Sequence, residues 1–382
     1  MKSAILAFED GAVFRGKPFG AKKTVVGEAV FNTSMMGYQE LLTDPSNFMN
    51  ILVMTFTEIG CYGINPKDAE SGGIKAAGLV VAQDCEKPSN WRSSIMGLGE
   101  YLEINSIPGI SGVDTRTITR KIRIGGSLKA CLSTEDISDE EAVRLAKSWS
   151  GIEGSNYLGE TSCKSAYRFD DSAENIKPFS LGGVHINTRG RTMPLLKCAA
   201  IDFGAKKSML LSLAYSGFEV TVFPAGVSAE EIAEFAPKCV FLSSGAGDPA
   251  AADGAVKVAE KLIKKYPVFG VGFGHQIIAR AFGAKTHKLK FGHHGGNYPV
   301  RNLETGKVGI TFQNHSFVAD ANSIENAGGI VTEVNLEDGT VEGLRHKELP
   351  VFSIQYHPSA APGIPGTGYP FDVFYDLASK NS

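Results

Sequence analysis

Tyr266-Pro-Val-Phe-Gly-Val-Gly-Phe-Gly-His-Gln276 decides how this 382-residue chain is read. An apolar run passes into a helix-forming one with no polar loop between them, and glycines at 270 and 274 flank a central position, 272. A nucleophile elbow is built this way, because the central side chain sits on a sharp strand-to-helix turn that tolerates only small neighbours. A working elbow carries Cys or Ser at its centre; here the residue is Gly272. The same letters could be a dinucleotide-binding glycine loop, but the segment falls late in the sheet and residues 284–301 offer no carboxylate for a ribose hydroxyl. They could also be a plain glycine turn, and only matching segments elsewhere in the chain separate that reading from an emptied elbow.

Outward from the elbow, short apolar runs alternate with helical ones at 197–202, 206–216, 219–223, 229–235, 239–242, 254–264, 268–271 and 276–282. Strands too apolar to be solvated on either face predict an α/β domain, a parallel sheet with helices on both sides, over residues 195–382. Ligands in such sheets bind at the carboxyl ends of the strands. At the other end of the chain, residues 3–8 and 12–14 flank Glu9-Asp10-Gly11, a hairpin signal. Further β-prone runs at 24–31, 51–56 and 78–81 and a helical run at 140–148 predict a smaller α+β domain over residues 1–150. Residues 151–194, poor in periodicity and rich in Ser, Gly and Asn, read as a linker.

Hydrophobic residues make up 43% and charged ones 21%, the balance of a globular domain. A net charge of −3 gives no bulk attraction to nucleic acid or to an anionic membrane. No stretch approaches the roughly 20 apolar residues of a membrane span, and the chain reaches Glu9-Asp10 without a signal-like core. The expectation is a cytoplasmic protein with neither nucleic acid nor membrane as partner. Cys61, Cys85, Cys131, Cys163, Cys198 and Cys239 are scattered without a CxxC pair and read as reduced thiols. A disulfide framework belongs to smaller, cysteine-dense domains. The adjacent His293-His294 pair lacks spaced acidic or thiol partners, so no metal site is expected.

Other segments carry a resemblance. Cys239-Val-Phe-Leu-Ser-Ser-Gly-Ala-Gly-Asp-Pro249 is similar to the S-x-G-P-G-D-P loop of class I glutamine amidotransferases, and Phe352-Ser-Ile-Gln-Tyr-His-Pro-Ser359 resembles the strand ending in that family's His-Pro-Glu. With the elbow they stand in the family's order. Phe31-Asn-Thr-Ser-Met-Met-Gly-Tyr-Gln-Glu-Leu-Leu-Thr-Asp-Pro-Ser46, Asp114-Thr-Arg-Thr-Ile-Thr-Arg120, Ile201-Asp-Phe-Gly-Ala-Lys206, Lys290-Phe-Gly-His-His-Gly-Gly-Asn297 and Gln313-Asn-His315 narrow the likeness to the carbamoyl phosphate synthetase small subunit. The resemblance implies a flavodoxin-like amidotransferase domain behind the family's N-terminal domain. It also implies a large-subunit partner that makes carbamoyl phosphate from bicarbonate, ATP and ammonia for arginine and pyrimidine synthesis. ATP and Mg would be used by that partner; no cofactor is expected in this chain, which has no GxxxxGK[ST] phosphate loop.

In that family a cysteine thiolate attacks the glutamine carboxamide, a histidine moves the proton, a carboxylate orients the histidine, and backbone amides hold the oxyanion. Carried over by position, the nucleophile falls on Gly272, the histidine on His357 and the carboxylate on Ser359. Two of the three positions lack the required group. Glutamine would be bound by Ser46, Gly245, Gly247, Phe273, Gln276, Asn314, Ser316 and Phe317, with the backbone of Gly245 and Phe273 as oxyanion hole. Ala246 replaces the family's proline, Ser244 its usual asparagine and Ser316 its glycine. The expected role is that of a partner subunit without glutaminase activity. A non-enzymatic glutamine-binding regulator and a glutaminase with an unrecognised nucleophile are the alternatives. His275 and His315 read as hydrogen-bonded packing residues and His357 as a structural remnant. Lys206 could be a pairing or a solvated lysine, and Asp114, Arg116 and Arg120 could pair with one another or face a partner.

Overall fold

The computed structural model describes residues 3–89, 94–170, 194–358 and 369–381. Two compact units divide the chain, Met1–Ser155 with Lys290–Gly295, and Asn156–Leu289 with Gly296–Ser382.

The first unit is a closed barrel in which Ala4–Phe8, Val13–Gly20, Pro108–Ser111, Gly78–Val80, Asn50–Met54, Thr24–Asn32 and Leu128–Ser133 follow one another around the wall. The Asp-Gly turn makes the expected hairpin, with Ala7 opposite Val13 and Leu6 opposite Phe14. Gly11 supplies the positive φ of 93° that the turn requires. The strand's two-residue period sorts its side chains. Ala4, Leu6 and Phe8 join Ile51, Val53 and the helical Ile118 and Ile122, while Ile5 and Ala7 meet Ala142 and Ala146 of the helix Asp139–Ser148.

In the second unit the parallel strands Phe218–Pro224, Leu196–Asp202, Cys239–Leu242, Val268–Val271 and Val351–Ile354 lie side by side in that order. Numbered along the chain this is 2-1-3-4-5, the flavodoxin-like winding. One face packs Ala199, Ile201, Val240 and Leu242 against the helices Ala229–Phe235, Asp253–Leu262 and Phe273–Ala281. The other packs Cys198, Ala200, Phe241 and Phe269 against Lys207–Tyr215 and Tyr369–Lys380. Phe241 and Phe269 are fully buried, each contributing about 1.5–3 kcal/mol by transfer from water. Beyond Val351–Ile354 the sheet continues through the antiparallel strands Val341–His346 and Gly329–Asn335. No described helix is long and apolar enough to cross a membrane.

The linker expected at 151–194 needs correction. Residues 151–155 group with the first unit and 156–170 are folded into the second, where Leu158–Thr161 is a helical turn and Tyr167–Arg168 adds an antiparallel edge strand to Phe218–Pro224. The hydroxyl-rich composition that suggested a linker serves tethering instead. Thr161 Oγ1 donates to the Phe203 carbonyl at 2.7 Å, and Ser162 Oγ accepts from the Ala225 amide at 2.9 Å. The rest of that segment, 171–193, lies outside the described residues. Lys290–Gly295, expected within the α/β domain, groups with the first unit, where the Thr33 amide donates to the His294 carbonyl.

Candidate active site: an elbow without its nucleophile

Three loops leave the carboxyl end of the parallel sheet together, because Leu242 stands level with Gly270, and Val271 level with Ile354. Residues 243–248, Gly272 and residues 355–358 therefore emerge on one edge, where doubly wound sheets place their ligands.

The strand Val268–Val271 turns at Gly272 directly into the helix Phe273–Ala281, which starts three residues before the position expected from its apolar pattern. Gly272 has φ 58° and ψ −111°, backbone that an L side chain adopts only under strain. Its amide donates to the Ile354 carbonyl at 3.0 Å and its carbonyl accepts from the Gln276 amide at 3.2 Å, so the turn is fixed from both sides. The flanks have no room: a β-carbon on Gly270 would stand 2.6 Å from Ile278 Cδ1, and one on Gly274 would stand 2.6 Å from the Leu242 carbonyl carbon. At the centre, the nearest atoms a β-carbon would meet are Ser244 Cβ at 3.3 Å, Ser244 Cα at 3.6 Å and the Gln355 carbonyl oxygen at 3.8 Å. The geometry is that of an elbow whose central side chain is missing.

The loop after Cys239–Leu242 is tied to its neighbour at 203–204. Ser243 Oγ accepts from the Phe203 amide at 2.9 Å and Ser244 Oγ donates to the Gly204 carbonyl at 3.1 Å. Gly245 passes so close that a β-carbon would lie 2.5 Å from the Phe203 carbonyl oxygen, and Gly247 has φ 102°. Asp248 closes the loop by accepting from the Ala250 amide at 2.8 Å. Phe273 opens the helix and so has no carbonyl one turn back for its amide.

His357 is buried; its amide donates to the Phe312 carbonyl at 2.9 Å and its ring meets Phe312 edge-on, 5.9 Å between centroids. Lys206, also buried and so not the solvated lysine, holds its ammonium 5.6 Å from the same Phe312 ring. Asn314, Ser316 and Phe317 are buried on the strand Val308–Ala319. Gln276 Nε2 bridges to this strand, donating to the Phe317 carbonyl at 2.7 Å and to Gln355 Oε1 at 3.0 Å. Gly245, Gly247, Gly272, Phe273, Gln276, Asn314, Ser316, Phe317 and His357 thus all belong to the second unit. Ser46 belongs to the first, in the short turn Pro45–Asn47, where its amide donates to Asp44 Oδ1 at 2.9 Å. Ser359 lies outside the described residues.

A buried polar network fixes the strand Val308–Ala319, and of its members only Gln313 and His315 were singled out in the sequence. His315 Nε2 contacts Gln313 Oε1 at 3.0 Å, Gln313 Nε2 donates to Glu342 Oε2 at 2.8 Å, and Asn335 Nδ2 donates to Glu342 Oε1 at 3.2 Å. Burial pushes the Glu342 carboxyl up to about 8, against the lowering effect of those two amide donors. The Gln355 amide donates to the Glu342 carbonyl at 2.7 Å, which links the network to the elbow's neighbour. A lone glutamate in a β-prone run carries no sequence signal of such a role. His275 is a packing residue, with Nδ1 2.9 Å from Ser353 Oγ and an imidazole held neutral by burial, its pKa lowered to about 3.

Fold and site define a class I glutamine amidotransferase architecture, and residues 199–377 match the family described as glutamine amidotransferase class-I. Residues 6–132 match the carbamoyl-phosphate synthase small chain, CPSase domain. The chain is 45% identical to the carbamoyl phosphate synthase small chain of Syntrophotalea carbinolica, covering 99% of this chain and 98% of that one. It is 47% identical to the small chain of Akkermansia muciniphila over the same shares, and 41% identical to the chloroplastic small chain of Oryza sativa subsp. japonica, covering 100% of this chain and 83% of that one. The chain belongs to the carbamoyl phosphate synthase small chain family.

Proposed function

We propose that this protein serves as a small subunit that partners a carbamoyl phosphate synthetase large subunit and has lost the glutaminase half-reaction. The observation that carries the proposal is Gly272 at the centre of an otherwise intact elbow. The covalent route needs a thiolate that adds to the carboxamide carbonyl and a histidine that delivers a proton to the departing ammonia. Without the thiolate no acyl-enzyme forms, and His357 has no sulfur from which to take a proton. Removing one member of such a unit costs on the order of a million-fold in turnover, about 8 kcal/mol of barrier. The assembled complex then draws on free ammonia, and ATP and bicarbonate are handled by the partner. The test supplies the purified complex with glutamine labelled at the amide nitrogen, or with labelled ammonium. Label is expected in carbamoyl phosphate only from ammonium; label from glutamine would refute the loss.

A second reading, glutamine bound but not cleaved, is favoured by the close-packed Gly245 loop and the buried Asn314 and Phe317. Calorimetric titration of the chain with glutamine separates the two, since a binding protein gives saturable heat and a bare scaffold gives none.

A further inference from the structure

The segment Asp114-Thr-Arg-Thr-Ile-Thr-Arg120 left open whether its charges pair with one another or face a partner. It forms the helix Thr115–Gly125, which buries Ile118 and Ile122 against the barrel and exposes Arg116, Arg120 and Arg123. Spacings of four and three residues put these arginines on one helix face. Asp114 does not neutralise them. Its carboxylate caps the helix, accepting from the Thr117 amide at 2.9 Å and the Thr117 hydroxyl at 2.7 Å, and these two bonds lower its pKa more than the Arg116 amide or the Arg116 charge does. Asp10 is taken by Lys121, on the helix's flank, and Glu9 by Lys129. Among the described residues, no carboxylate comes within ion-pairing distance of Arg116, Arg120 or Arg123.

Helix stability does not account for the stripe. Like charges three and four residues apart oppose the helix, and Arg116 sits in the first turn, where the helix dipole disfavours a cation; only Arg123, in the last turn, has a favourable place in that dipole. Ile124, 70% exposed, stands one helical turn beyond Arg120. Arginine is enriched at protein interfaces, and the chain's overall charge of −3 makes the cationic face a local feature.

We infer that the Arg116, Arg120 and Arg123 face of this helix docks a carboxylate-bearing surface of the large subunit. The inference rests on the proposed role as a partner subunit and names the surface that role uses. The test measures the affinity of the full-length chain for the purified large subunit, natural and with Arg116→Glu, Arg120→Glu and Arg123→Glu combined. Arg144→Glu is the control, since Arg144 is exposed on another helix and pairs with Glu141. A roughly hundredfold loss in the triple variant, with an unchanged melting temperature and little change in the control, is expected. Association of the natural pair should also slow steeply with added salt, and that of the triple variant less so. Tight binding by the triple variant, or an equal loss in the control, would overturn the inference while leaving the partner role standing. Failure of the natural chain to bind the large subunit would instead remove the role itself. A single-stranded oligonucleotide bound by the natural chain and not by the triple variant, with large-subunit affinity unchanged, would give the face to nucleic acid and refute the docking surface.

Discussion

A β-carbon on Gly272 would lie 3.3 Å from the β-carbon of Ser244, whereas one on Gly274 would be driven into the Leu242 carbonyl. The elbow's centre has a strained backbone and would take a β-carbon once Ser244 gives by a few tenths of an ångström; its flank has no space. Gly272→Ala is therefore expected to cost about 1–2 kcal/mol through its φ of 58°, and Gly274→Ala about 3 kcal/mol or more through overpacking. Urea midpoints at constant slope measure both; equal losses would contradict this account of the turn.

Glu342 should leave a signature at neutral pH. Its folded carboxyl titrates near 8 because it is buried, while an unfolded glutamate titrates near 4.3. Between those values the folded state holds a proton that the unfolded state has released, so this group's contribution is full below about pH 4.3 and is lost as pH rises toward 8. The loss is on the order of 4–5 kcal/mol. Glu342→Gln, which cannot ionise, should flatten that slope in chemical denaturation series from pH 5 to 8. A variant with the slope of the natural chain would show that Glu342 is not its source.

His275 acts in the opposite direction. Its imidazole stays neutral to about pH 3 because burial disfavours the cation, whereas an unfolded histidine takes up a proton near 6.5. Stability from this group is full above about pH 6.5 and is lost as pH falls toward 3. His275→Gln should be less stable at pH 7 yet lose less on acidification to pH 5; parallel curves would contradict the burial argument.

The second unit's first half was legible because its strands are short, wholly apolar and separated by helices of ordinary length. The expected 239–242 and 268–271 are the observed Cys239–Leu242 and Val268–Val271. The elbow was legible for the same steric reason that fixes it, since Gly270 and Gly274 are the residues the turn cannot enlarge. Closure of the barrel was not. The β-prone run at 78–81 is the observed Gly78–Val80, but Pro108–Ser111 is too short to signal a strand, and it closes the wall by pairing in parallel with Gly78–Val80 and antiparallel with the distant Val13–Gly20. Nor was the ordering of 156–170, where single hydroxyl and amide bonds to Phe203, Asp202 and Ala225 replace the periodic apolar pattern that marks a folded element. Glu342 was invisible because its role depends on Gln313 and Asn335, brought to it by strand pairing.

Glutamine hydrolysis tests the emptied elbow most directly. Glutamate release would be measured for the chain with its large subunit, natural and as the Gly272→Cys, Ser359→Glu double variant. The account predicts no release above background from the natural chain and measurable release from the variant. Hydrolysis by the natural chain would contradict it, because a residue other than that at position 272 would then have to attack the carboxamide.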